Sequence, residues 1–234
     1  MGVLVSFNDG DFIQIEYSAW RASDGSMVYT TDKAAAEKNG LYSKDHKYGP
    51  NLVIVGKDTT IKGLDKALRL MSLNESRKVE IGPDEAFGER NQDLVRVMKV
   101  SDFRSRDIDP RPGMQVDLDG TIAVITAVNS GRFTVDANHP LAGEKLTYDL
   151  KVVAKLDDER SKVDALAGMN GLKPDSIKVE GGTAEVLFGE KIDKNADYFL
   201  NKASFTGSVL RYLPGITKVV VKEEYVKREE KKEG

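Results

Sequence analysis

The chain has no cysteine, which excludes disulfide staples, thiolate nucleophiles and thiolate metal sites. Histidine is nearly as scarce. His46 and His139 are its two copies, far apart and in no HExxH-like pattern, so no metal site is expected. No uninterrupted apolar run approaches the ~18–20 residues of a membrane helix. The start, Met1-Gly2-Val3-Leu4-Val5-Ser6-Phe7-Asn8, lacks the basic opening and apolar core of a secretory signal. The expectation is a cytoplasmic protein with no membrane partner. A net charge of −3 provides no positive field to gather nucleic acid. The GxSxG elbow, the phosphate loop and the dinucleotide-binding glycine fingerprint are also missing. The lone Trp20 reads as packing rather than a cofactor box, and no cofactor is expected.

What is present is a succession of short elements. Phe12-Ile13-Gln14-Ile15-Glu16-Tyr17 alternates as a half-buried strand does, and Ser23-Asp24-Gly25-Ser26 turns it into Met27-Val28-Tyr29-Thr30-Thr31. Ala34 to Lys38 predicts a short helix stopped by Asn39-Gly40, and Tyr48-Gly49-Pro50 a turn before the strand Leu52 to Gly56. From Lys62-Gly63 onward, Leu64, Ala67, Leu68 and Met71 recur at helical spacing, and Glu75 to Ile81 follows as a strand. Strands around a single amphipathic helix predict an α+β domain.

Residues 89–137 change style. Leu94 to Met98, Met114 to Leu118, Thr121 to Val128 and Arg132 to Val135 read as strands, with turn signals at Asp119-Gly120 and Asn129-Ser130-Gly131. They predict a small β-rich lobe. The strand Leu146 to Val153 then resumes the first style. After the charged boundary Asp157-Asp158-Glu159-Arg160-Ser161, an αββαβ order predicts a C-terminal α+β domain, with a hairpin at Gly181-Gly182 and a charged tail from Lys227. The boundaries read from the sequence are 1–88 with 138–155, then 89–137, then 156–234.

Three blocks carry a resemblance. The first is Tyr17 with Asp24-Gly25 and Val28-Tyr29-Thr30-Thr31. The second is Tyr48-Gly49-Pro50, Gly56 and Ile61-Lys62-Gly63-Leu64-Asp65-Lys66-Ala67-Leu68. The third is Ala86-Phe87-Gly88, answered by Asn138-His139-Pro140-Leu141-Ala142-Gly143 and Leu146-Thr147-Tyr148. Together they resemble an FKBP-type peptidyl-prolyl cis/trans isomerase of the SlyD-like class, in which a lobe is inserted in the flap. The loop from Asp32 to Pro50 and the extra C-terminal domain are similar to the long archaeal members.

The resemblance implies an enzyme that accelerates Xaa-Pro isomerisation during protein folding, acting on unfolded or proline-containing polypeptides. It puts the catalytic pocket on Tyr17, Val28, Tyr29, Val53, Thr60, Ile61, Leu64, Ala86, Phe87 and Tyr148, with His139 and Leu141 at the rim. By the same resemblance the Ile61 N–H binds a substrate carbonyl, and Phe87 and Tyr148 offer aromatic surfaces to the prolyl ring. The inserted lobe would bind unfolded chains, with Leu94, Val95, Val97, Met98, Phe103, Ile122, Val124 and Ile125 as its core or its groove. Three positions depart from the family pattern: Tyr29 replaces a usual aspartate, Phe87 a usual tyrosine, and Asn51 a larger apolar residue. A non-catalytic holdase or adaptor on the same fold is the alternative reading. Residues 156–234 stay open between a homodimer contact, a second client surface and a structural accessory.

Overall fold

The computed structural model describes residues 7–101, 109–118, 120–190 and 193–226. Twelve strands are described: β1 (Phe12–Arg21), β2 (Met27–Thr30), β3 (Asn51–Ile54), β4 (Ser76–Ile81), β5 (Val95–Lys99), β6 (Gln115–Leu118), β7 (Thr121–Asn129), β8 (Arg132–Asp136), β9 (Leu146–Leu156), β10 (Ser176–Glu180), β11 (Thr183–Phe188) and β12 (Lys218–Glu223). The described helices are α1 (Lys33–Lys38), α2 (Lys62–Arg69), α3 (Glu159–Met169) and α4 (Ala196–Tyr212). None is long and apolar enough to cross a membrane.

Three sheets result. In the first, β1 pairs along its whole length with β9, β4 closes the far side of β9, and β2 and β3 share the other edge of β1. Alternation along β1 sends Ile13, Ile15 and Ala19 into the core under α2, with Tyr17 packed against them. Leu64, Leu68 and Met71 are the apolar face of that helix, and all three are buried. Close packing here depends on Gly63. A Cβ built on it would overlap Cγ2 of Ile81, which is itself buried and cannot swing away. Gly63→Ala should therefore cost about 1–3 kcal/mol by overpacking. The measurement is the urea unfolding midpoint, and an unchanged midpoint would contradict this account of the helix–sheet contact.

The second sheet has the order β5-β8-β7-β6 and is wholly antiparallel. Val116, Ala123, Ile125, Phe133 and Val135 form its own buried cluster. The third has the order β10-β11-β12. Gly181 and Gly182 both take positive φ, 55° and 71°, as the β10–β11 turn requires, since side-chain-bearing residues avoid that region. β11 and β12 are parallel, the long connection between them being α4. The cluster around this sheet also takes in Phe12 of β1 and Ile54 of β3. One end of the outer face of the first sheet is thus packed against the C-terminal residues, while Ser76, Lys78, Asp149 and Lys151 on the same face are exposed.

Local chemistry agrees with these elements. Asp32, Asp158 and Asn195 accept hydrogen bonds from Ala35, Ser161 and Tyr198 at the starts of α1, α3 and α4. Of the four described α-helices, α2 alone begins without a side-chain cap. The α+β class expected from the sequence is the one observed.

Candidate active site

Ten of the twelve residues expected at the pocket meet in one apolar cluster. Val53, Leu64 and Tyr148 are its buried floor. Tyr17, Val28, Tyr29, Ile61, Ala86, Phe87 and Leu141 are half-buried against it. The other two lie alongside. Thr60 directly precedes Ile61 and is half-buried. The exposed His139 lies flat on Phe87, with ring centroids 4.1 Å apart and planes 1° from parallel.

Tyr148 corrects one expectation. It lies on the central strand β9 beneath Tyr17, 5.9 Å between ring centroids, and is only 3% exposed. It supports the pocket from below instead of offering a ring face, and burial pushes its hydroxyl pKa up to about 12. Phe87, like Tyr17 and Tyr29, is half-buried, and His139 covers one face of its ring. A short 3-10 turn, Pro83–Glu85, presents that ring, and Gly88 follows at φ 78°. The Gly143 N–H donates to the Gly88 carbonyl at 2.8 Å, and the Leu141 N–H donates to His139 Nδ1 at 3.1 Å. The first bond ties the 86–88 turn to the 139–143 segment, and the second shapes that segment from within.

Tyr29 and Asn51, two of the departures from the family pattern, prove to be partners. The Asn51 amide donates to the Tyr29 hydroxyl at 3.2 Å and to the Tyr17 hydroxyl at 3.4 Å. The two tyrosine rings stack 5.0 Å apart. Burial, then the neighbouring Tyr29, raises the Tyr17 pKa well above the usual phenol value, so Tyr17 stays a neutral donor. Asn51 lay outside the expected site set. The signal was available in that two neighbouring positions departed together, but only the pairing of β2 and β3 with one edge of β1 brings them into contact.

Ile61 holds the N-cap position of α2 at φ −66° and ψ 150°, and its carbonyl accepts from Asp65 N–H. Its own N–H has no acceptor among the described residues. At a helix start, amide donors are left free by geometry, and here no side chain caps them. A donor held by the scaffold therefore belongs to a residue that packs on the same apolar cluster as Phe87 and the tyrosines.

The Asn138 segment closes a neck between the first two sheets. The Asn91 N–H donates to Asn138 Oδ1 at 2.8 Å, and Asn138 Nδ2 donates back to the Asn91 carbonyl at 2.9 Å. Arg90 forms an ion pair with Asp136. Burial alone would raise the Asp136 pKa, but bonds from Asn138 and the Arg90 charge outweigh it and hold the carboxyl below its usual value.

In the second sheet the expected substrate-facing residues divide. Val97 and Ile122 are 64% and 58% exposed, and Leu94 is also exposed. Val95, Met98 and Val124 are half-buried. Ile125 falls on the core side of the core-or-groove expectation: it is fully buried with Ala123, Phe133 and Val135, so it belongs to the core of this sheet and is closed to a substrate. Phe103 lies outside the described residues.

Comparison with known proteins shows the family of the chain. Residues 5–101 match the family model described as FKBP-type peptidyl-prolyl cis-trans isomerase, and residues 96–141 match the one described as FKBP26, IF domain. The chain is 31% identical over 143 residues to the short-type peptidyl-prolyl cis-trans isomerase of Methanocaldococcus jannaschii, covering 61% of this chain and 90% of that protein. It is 31% identical over 145 residues to the FKBP-type peptidyl-prolyl cis-trans isomerase SlyD of Pasteurella multocida, covering 61% of this chain and 65% of that one. With SlyD of Vibrio cholerae the identity is 38% over 103 residues, 42% of this chain and 51% of its relative. The chain therefore belongs to the FKBP-type peptidyl-prolyl cis-trans isomerase family, and the cluster of Val53, Leu64, Tyr148 and Phe87, with the Ile61 N–H at the start of α2, is its candidate site.

Proposed function

We propose that the chain catalyses rotation about Xaa-Pro bonds in folding polypeptides, with the prolyl ring against Phe87 and the preceding carbonyl on the Ile61 N–H. The observation that carries this reading is the Ile61 N–H at the uncapped start of α2, without an acceptor among the described residues, in a residue that packs on the same apolar cluster as the half-buried Phe87. The uncatalysed barrier is ~18–20 kcal/mol because the amide loses resonance as it twists. No bond breaks, so no nucleophile is required. An apolar pocket disfavours the more polar planar amide relative to the twisted one. The fixed donor accelerates the reaction to the extent that it binds the twisted carbonyl more strongly than the flat one. A thousandfold acceleration needs only ~4 kcal/mol of such differential binding.

The same reading divides the chain into an isomerase unit of residues 1–88 and 138–155, an inserted lobe of residues 89–137, and a C-terminal unit of residues 156–234. The lobe holds unfolded chains for the isomerase. Support comes from its open sheet face, where register puts Val97, Ile122 and the half-buried Val95 and Val124 on the side opposite Ile125 and Phe133. A homodimer contact through the C-terminal unit would use Phe199, Leu200 and Leu210, all exposed on α4.

Exchange spectroscopy on a short Xaa-Pro peptide tests the central reading. Substoichiometric protein should broaden and cross-couple the cis and trans resonances. Their remaining sharp would leave the fold as a non-catalytic holdase.

A further inference from the structure

A cavity adjoining the site is not made by the isomerase residues alone. It measures about 580 Å³, within the range of ligand pockets. One wall is Tyr29, His46, Tyr48 and Asn51, and the opposite wall is the α3 face carrying Ala165 and Gly168. Tyr29 and Asn51 are the pair whose hydroxyl and amide meet inside the candidate active site, so the cavity continues that site around the exposed edge of β3 toward the C-terminal residues.

His46 marks it as a place for a hydrogen-bonding occupant. Its ring stands edge-on to Tyr29 at 5.2 Å and to Tyr48 at 4.7 Å, between this cavity and a smaller one of about 180 Å³. Its Nε2 is buried and no described protein group bonds it. A buried polar atom left unpaired costs about 1–3 kcal/mol. A peptide backbone supplies both an N–H and a carbonyl, so it can satisfy Nε2 in either tautomer. The α3 wall is kept low by small residues, and a Cβ on Gly168 would stand 3.2 Å from Lys47 Nζ. Lys47 and Asp164 add opposite charges to the lining, which suits a neutral, dipolar peptide backbone better than an ion of one sign.

We infer that this cavity is an extension of the catalytic cleft, formed jointly with the C-terminal helix α3, which binds the polypeptide segment flanking the prolyl bond through His46. The inference rests on the proposed isomerase reading and gives residues 156–234 a share in substrate selection.

The test uses the full-length, isotope-labelled chain and two peptides with the same Xaa-Pro core. One has four residues, and the other is extended by about six residues on each side, enough to span ~20 Å. Both peptides should shift the Ile61 and Phe87 amide resonances, and only the long one should shift Ala165 and Gly168. Gly168→Leu, which fills the cavity from a helix position, should raise KM for the long peptide relative to the short one about tenfold with kcat unchanged, equivalent to ~1.4 kcal/mol of lost binding. Gly168→Ala serves as the folding control. If the long peptide shifts Ile61 and Phe87 but leaves α3 untouched, or if Gly168→Leu leaves the KM ratio at its original value, the extension is overturned while the isomerase reading stands. If neither peptide shifts Ile61 or Phe87, the isomerase reading falls and the extension falls with it.

Discussion

Ile61→Pro is expected to lower kcat/KM on a short Xaa-Pro peptide about a hundredfold, by analogy with the loss of one preorganised donor, worth ~2.7–4 kcal/mol in the transition state. The substitution is unusually clean. The backbone already sits at φ −66°, the angle a proline ring imposes. The Ile61 carbonyl, which accepts from Asp65, is retained. Only the N–H and part of the side chain are removed, and no described group depends on that N–H. Proline is also tolerated at helix starts, where amide donors lack helical partners. The native fold should persist by circular dichroism and by the thermal midpoint. Ile61→Val, which keeps the donor and trims one methylene, should retain most of the turnover. Equal losses in the two variants would mean that the side chain, and not the amide, serves the reaction.

Parts of this arrangement are legible in the sequence because they rest on short-range chemistry. The apolar spacing of Leu64, Leu68 and Met71 predicts the buried face of α2, and Gly181-Gly182 predicts a turn that needs two positive φ angles. The pocket residues are legible only through resemblance. Val53 or Leu64 alone looks like any core residue, and each is indeed buried.

What could not be read depends on register and on contacts distant in sequence. Asn51 and Tyr29 meet because β2 and β3 pair with different stretches of the same β1 edge. Phe12 and Ile54 look like members of the first core, yet alternation along β1 and β3 turns them to the outer face and into the C-terminal cluster. In β7 the run Ile122-Ala123-Val124-Ile125 is apolar throughout. Sequence alone cannot say which residues face inward, and a register shift between Ile125 and Ala127 disturbs the alternation further. His46 gave no signal, since its surroundings are built from two segments more than a hundred residues apart.

The separateness of the inserted lobe leads to the second large effect. Phe133→Ala should unfold the lobe while leaving the isomerase unit folded. Phe133 is 1% exposed and packs in a cluster whose other buried members are Val116, Ala123, Ile125 and Val135, small or medium side chains that cannot fill the space it would leave. Truncating a buried phenylalanine costs about 3–5 kcal/mol. A lobe of this size rarely has more than about 3–5 kcal/mol from a single core, so the loss exhausts its stability. The first sheet shares none of these residues, its core being Ile13, Leu68, Leu146 and their neighbours. Hydrogen exchange should therefore show protection lost in β7 and β8 and kept in β1 and β9. Catalysis of refolding should fall steeply, with short-peptide turnover much less affected. Loss of protection in β1 at the same denaturant concentration as in β8 would mean that the neck bonds of Arg90, Asp136 and Asn138 couple the two sheets into one cooperative unit. The lobe would then be a structural necessity for the isomerase rather than a separable arm that delivers clients to it.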